Sequence, residues 1–126
     1  MVIDERLIIH CDTFQSALIE TQKLIDSGTK FDSIFTVNDF TAAGAMKILI
    51  RNGIKIPQDV SLVGFGYNQT SLMVEPTLTT VNQPGFEMGK KAMEQLIRRI
   101  TQTRQEPPIT EILKTQLIVR ESSRLR

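Results

Sequence analysis

Three short groups of residues in this chain have the types and placement to do chemistry: His10-Cys11-Asp12-Thr13, Asn38-Asp39 and Gly64-Phe65-Gly66-Tyr67-Asn68. Each follows an apolar run, at the point where a strand would end. Their carboxylates and amide oxygens accept hydrogen bonds, their amides and hydroxyls donate, and Tyr67 adds an aromatic ring. Brought together, they suit a hydroxyl-rich or heteroaromatic small molecule. The competing reading of Asp12, Asn38 and Asp39 is that they cap helices. Asp39 reads first as a cap, Asn38 equally as a cap and as a ligand contact.

Catalysis is poorly served. His10 is the single histidine, and no serine or cysteine stands beside it in a nucleophile motif. It reads as structural. Asp12 and Asp39 would need a third oxygen ligand to hold a divalent cation. Gly64-x-Gly66 opens like a dinucleotide fingerprint, but Gln69 stands where its third glycine belongs. No lysine follows a strand as phosphoryl transfer needs. The expectation is a binding module with no metal and no cofactor, and not an enzyme.

Elements that could position these groups follow from periodicity. Leu7 to Ile9 reads as a first strand. Phe14, Ala17, Leu18, Thr21, Leu24 and Ile25 then share one face of a helix, with Asp12 or Thr13 as its cap and Gly28 at its end. Ser33 to Val37 is a second strand, followed by a helix from about Phe40 to Asn52, closed by Gly53. Pro57-Gln58-Asp59 is a turn. Val60 to Phe65, apolar on both faces, reads as a central parallel strand. Leu78 to Val81 is a fourth strand. Pro84 suits the first turn of a helix whose stripe is Phe86, Gly89, Met93, Leu96, Ile97 and Ile100. Residues 101–110, with Pro107-Pro108, form a linker, Ile112 to Val119 a last strand, and the tail past Ser122 frays. Alternating strands and helices predict an α/β fold, a mostly parallel sheet flanked by helices with right-handed crossovers. In such sheets ligands bind beyond the carboxyl ends of the strands, which is where the three polar groups fall.

At 126 residues the chain is one domain or part of one, and its 40% apolar residues are enough for a core. Fifteen basic residues face 14 acidic ones, so no overall field favours nucleic acid or a membrane. The basic lean of the last third is scattered, as on a solvated surface. Cys11, the single cysteine, forms no disulfide framework, suits a reducing cytosol and reads as a buried, inert thiol. No apolar run approaches the roughly 20 residues of a membrane span, and the N-terminus is not a secretory signal. Leu72, Met73 and Val74, in a loop, either cover the core or face a partner.

Several motifs, in order, carry a resemblance. An apolar strand leads into Asn38, Asp39, Ala42, Gly44 and Ala45. Gly53, Ile54, Ile56, Pro57, Asp59, Val60 and Ser61 follow, then Gly64-Phe65, then Pro76-x-Leu78-Thr79-Thr80-Val81-x-Gln83-Pro84. Gly89 and Ala92 lie on the next helix, and Leu117-Ile118-x-Arg120-x-Ser122 closes the series. At this spacing, from Leu7 to Ser123, the chain resembles the sensor domain of the lactose-repressor/galactose-repressor (LacI/GalR) family of bacterial transcription regulators. That domain has the periplasmic-binding-protein type I fold.

The resemblance implies an effector cleft between two lobes, with the chain crossing between them three times. Residues 1–83 would be the C-terminal lobe, 84–101 a helix belonging to the first lobe, 102–110 a linker, 111–123 a crossover strand returning to the C-terminal lobe, and 124–126 a tail. The helix-turn-helix headpiece, the hinge helix and most of the first lobe are not in this sequence, so DNA would be reached only through a headpiece outside it. Asn38 matches a position that often faces the effector. Asp12 and Thr13 fall where the family also contributes to the pocket, on a slightly shorter loop. Gly66 replaces an acidic residue that often binds effector hydroxyls or ring nitrogens, so either the effector differs from a simple sugar, or Tyr67 or Asn68 takes over that role, or the domain senses a protein partner or no effector at all. The implied ligand is a sugar or sugar derivative, the location cytoplasmic. The stripe containing Phe86, Met93 and Ile97, together with Leu72, Met73 and Val74, would face a second copy in a homodimer, docked or domain-swapped. Rival readings are a periplasmic sugar-binding protein of ABC transport, an Mg-dependent flavodoxin-like enzyme using Asp12 and Asp39, and a purely structural dimerisation module.

Overall fold

A computed structural model describes residues 4–66, 68–101 and 107–124. Its centre is a four-stranded sheet in the order β1 (Ser33–Phe35), β2 (Ser61–Phe65), β3 (Thr79–Asn82) and β4 (Gln116–Ile118). The first three strands are parallel, and β4 runs antiparallel to β3. Helices α1 (Phe14–Asp26) and α2 (Asp39–Arg51) pack on each other over one face of the sheet. Ala42, Ala45, Met46 and Leu49 of α2 meet Leu62 and Leu78 there, all buried. Gly44 and Ala17 mark the close approach of the two helices, because a Cβ at Gly44 would overlap the backbone of Phe14. The mostly parallel α/β architecture expected from the alternation is therefore present.

The first expected strand is absent. Residues 5–7 form a single 3-10 turn capped by Asp4, which accepts from the Arg6 backbone N–H and pairs with its guanidinium at 2.7 Å. Leu7 and Ile8 are exposed, and Leu7, Ile9 and Cys11 line a cavity of about 810 Å³ together with residues 33–37, which are β1 and the segment after it. An apolar run needs a hydrogen-bonded neighbour to become a strand, and among the described residues no strand pairs with it. Cys11 lines the same cavity and is half-buried, not buried as expected. Burial, then the charges of Glu20 and Asp12, push its thiol pKa up, away from the range of an activated thiolate.

The last strand is shorter than the expected Ile112 to Val119, because β3 ends at Asn82, opposite Gln116. Residues 109–115 instead run beside α4 (Gly85–Thr101), where Glu111 accepts from Gln95 at 3.1 Å and pairs with Lys91 at 3.4 Å. The other side of α4 is bare: Phe86 is 90% exposed, Ile100 73%, and Met93, Leu96 and Ile97 are more than half exposed. No helix among the described residues is long and apolar enough to cross a membrane. Most of the expected linker, residues 102–106, lies outside the described residues.

The closing segment is wedged into the sheet. Ser122 is fully buried between the starts of β2 and β3. Its hydroxyl accepts from Thr79 N–H at 2.8 Å and donates to Leu62 O at 2.6 Å. Its backbone receives Leu62 N–H and donates to Thr77 O. Arg120 reaches Leu78 O at 2.7 Å, and its N–H donates to Thr79 Oγ1. The Leu78-Thr79-Thr80 run and the Arg120-x-Ser122 run are thus two halves of one contact. Beside it, Glu121 accepts from both Thr77 N–H and Thr77 hydroxyl. The backbone bond first, then the hydroxyl, holds the Glu121 carboxyl below its usual range.

Candidate functional site

The three polar groups do meet at the carboxyl edge of the sheet, and hydrogen bonds join them. Asn38 ends the segment after β1. Its side-chain amide donates to Asp12 O at 2.8 Å, fastening the loop before α1 to the start of α2. Its Oδ1 accepts Thr41 N–H at 2.8 Å and Thr41 hydroxyl at 3.0 Å, so Asn38 is the N-cap of α2. The cap and the site position are one residue. Both lone pairs of Asn38 Oδ1 serve the fold, and its second amide hydrogen is the group left to offer a ligand.

Thr13, rather than Asp12, caps α1. Its hydroxyl accepts Ser16 N–H, while Ser16 Oγ accepts Thr13 N–H, a capping box. The Asp12 side chain is exposed on the same rim. Of the two cap candidates, the structure therefore uses Thr13.

Asp39 is not the cap. It occupies the first turn of α2 with its carboxylate fully buried. One oxygen accepts Thr80 hydroxyl at 2.6 Å and the other accepts Asn68 N–H at 3.0 Å. Both oxygens are thus engaged by protein donors. Among the described residues, no group of three or more His, Cys, Asp or Glu converges as a metal ion would need. His10 is exposed on the segment that fails to join the sheet.

Gly66 follows β2 at φ 129°, with its N–H donating to Val81 O at 2.9 Å. Side chains with a Cβ rarely take that conformation. The glycine at this position is therefore matched to its backbone: an aspartate could not occupy it without strain. Gly66→Asp is expected to lower the unfolding free energy by about 1–3 kcal/mol. Urea titration followed by circular dichroism measures this, and an unchanged midpoint would show that the corner rearranges freely. Tyr67 lies outside the described residues. Asn68 is half-buried. Its Oδ1 accepts Thr70 N–H and its carbonyl accepts Ser71 N–H and hydroxyl, which builds the short helix α3 (Thr70–Met73). On α3, Leu72 is 60% and Met73 81% exposed, whereas Val74 just after it packs against the core.

Two roles were not visible in the sequence: Asp39 as the buried tether of the site, and Ser122 as a plug at the opposite end of β2 and β3. The signal for Asp39 was its place beside a strand carrying Gly64 and opposite one carrying Thr80. Those partners lie 25 and 41 positions away, and only the sheet brings them together.

Comparison with known proteins bears on the fold and the family. The periplasmic binding protein-like domain family matches residues 3–123. The chain belongs to that family. Within it, the match is to LacI/GalR transcription regulators. The HTH-type transcriptional regulator CelR of Thermobifida fusca is 34% identical over 97% of this chain and 36% of its own length. A solved CelR–cellobiose complex superposes with a TM-score of 0.91, at 34% identity, over 98% of this chain and 38% of that one. A LacI family transcriptional regulator from Enterococcus faecium with bound ribose gives a TM-score of 0.77, at 29% identity, over 88% of this chain and 40% of that one. The chain thus spans about a third of the length of the curated relative it matches. These relatives are transcriptional regulators.

Proposed function

We propose that this chain is the C-terminal effector-sensing lobe of a cytoplasmic LacI/GalR-type transcriptional regulator. It binds a small molecule, a sugar or sugar derivative, against a first lobe carried elsewhere, and cleft closure shifts DNA binding by a helix-turn-helix headpiece. The observation that supports this best is the tethered rim of Asp12, Thr13, Asn38, Gly66 and Asn68 at the carboxyl edge of a parallel sheet. Residues 84–101 are the helix of the other lobe, and residues 111–123 the strand that crosses back. Gly66 offers no carboxylate, so effector hydroxyls meet amides and hydroxyls instead, and Tyr67 supplies a ring.

Thermal shift and calorimetry on a two-lobe protein, with cellobiose and ribose as first probes, test the reading. Ligand at 100 times its Kd should add about 2.7 kcal/mol of stability. A broad sugar panel without any shift would overturn the sugar assignment. A mobility shift of operator DNA by the 126-residue chain alone would overturn the assignment of DNA binding to a separate headpiece.

In the 126-residue chain the bare side of α4 should pair with a second copy, docked or swapped. Each large side chain on it contributes about 1.5–3 kcal/mol once buried, and Leu72 and Met73 extend the apolar surface. Light scattering is expected to give a dimer mass that falls toward monomer in Ile97→Lys. A clean monomer at high concentration would sink the homodimer.

A further inference from the structure

We propose that Asp39 is the positioning residue of the effector rim: its buried carboxylate sets where Asn68 and α3 stand. The inference rests on the effector reading only for the word effector; the tether itself is a matter of geometry.

Asp39 is fully buried, yet among the described residues it is an acidic residue in a core otherwise built from apolar side chains, threonines and serines. Buried carboxylates persist where donors hold them. Here the two donors come from different parts of the rim. Thr80 belongs to β3, in the middle of the sheet, and its hydroxyl is fixed by the strand. The second donor is the backbone N–H of Asn68, in the irregular segment after β2. The carboxylate therefore references a loop to a strand. Gly64 makes this possible, because a Cβ there would occupy the space of the carboxylate oxygen.

What Asn68 holds is then held by Asp39. Asn68 Oδ1 accepts Thr70 N–H at 2.9 Å, and Asn68 O accepts Ser71 hydroxyl at 2.7 Å. Buried Ser71 accepts Leu78 N–H through its carbonyl at 2.9 Å. One anchor thus serves both the polar corner after Gly66 and the short helix that presents Leu72 and Met73. Asn38, the preceding residue, ties the Asp12 loop to the same helix start. Adjacent residues at the N-terminus of α2 locate both sides of the rim.

Amide hydrogen exchange on the ¹⁵N-labelled 126-residue chain tests this without any ligand. In the unaltered chain the Asn68 amide should exchange at least about tenfold more slowly than its intrinsic rate, as an amide bound to a buried carboxylate does. Asp39→Ala should raise its exchange by about tenfold, while Leu62 and Val63 amides keep theirs. Asp39→Asn retains an acceptor oxygen, so it should restore part of that protection and shift the Asn68 amide proton upfield. Thr80→Val removes the other donor and should leave Asn68 protected. An Asn68 amide at its intrinsic rate in the unaltered chain overturns the proposal, even if Asp39→Ala fails to fold. So does an Asn68 amide indifferent to Asp39→Ala in a folded variant. A sugar panel without a hit would remove the effector reading and leave these exchange results standing.

Discussion

Ser122→Ala is expected to lower the unfolding free energy by about 3 kcal/mol. The substitution deletes one oxygen atom, but that oxygen serves two buried backbone groups, Thr79 N–H and Leu62 C=O. Alanine keeps the backbone bonds of residue 122 to Leu62 and Thr77, so the segment stays in place and the two groups face a methyl. A buried polar group stripped of its partner costs about 1–3 kcal/mol, and here there are two. A domain of this size has about 5–15 kcal/mol in total, so the loss should be plain in a urea titration, with the slope unchanged if only the native state is affected. Lys114→Ala, at an exposed position, is the matched control. A change below about 1 kcal/mol for Ser122→Ala would mean that water or a backbone shift replaces the hydroxyl.

Ser122 also shows where legibility in the sequence stops. The elements around α2 and β2 could be read because local signals agree: a cap at Asn38 or Asp39, Gly53 after the helix, the Asp59 turn, then an apolar strand. Each of those signals involves residues close in sequence. The plug at Ser122 joins residues 43 and 60 positions away, and the tether at Asp39 reaches across 29 and 41. No window on the chain contains such pairs. The motif match did place both residues in one pattern, and the structure supplies its physical content: Leu78-Thr79-Thr80 is gripped from one end by Arg120 and Ser122 and from the other by Asp39. The opposite failure occurred at Leu7 to Ile9. There the local pattern is a good strand, but the pattern says nothing about whether an edge is close enough to pair with. The polar rim was legible as a location, since strand ends follow from the strands. The division of labour within it was not, because Asn38, Asp39 and Thr13 are all sound caps on sequence alone.

Gly64→Ala should cost about 3 kcal/mol as well, and the way it does so can separate the tether from ordinary crowding. A methyl at residue 64 would overlap an Asp39 carboxylate oxygen and come within 2.9 Å of Leu78 Cδ2. Leu78 can turn its end slightly. Asp39 cannot move without giving up Thr80 and Asn68, since both bonds depend on the present position of the carboxylate. The cost then has two parts, overpacking of about 1–3 kcal/mol and a buried acceptor losing donors at about 1–3 kcal/mol. A double-mutant cycle with Asp39→Ala resolves them. Removing the carboxylate makes room for the methyl, so the double variant should be more stable than the sum of the single losses by at least about 1 kcal/mol. Additivity would show that the methyl is resisted by Leu78 and the strand alone. Strong coupling would instead mean that glycine at 64 is required because a buried aspartate from another element needs the space. The glycine would then be a rim residue in effect: it decides whether Asp39, and through it Asn68, can stand where they do.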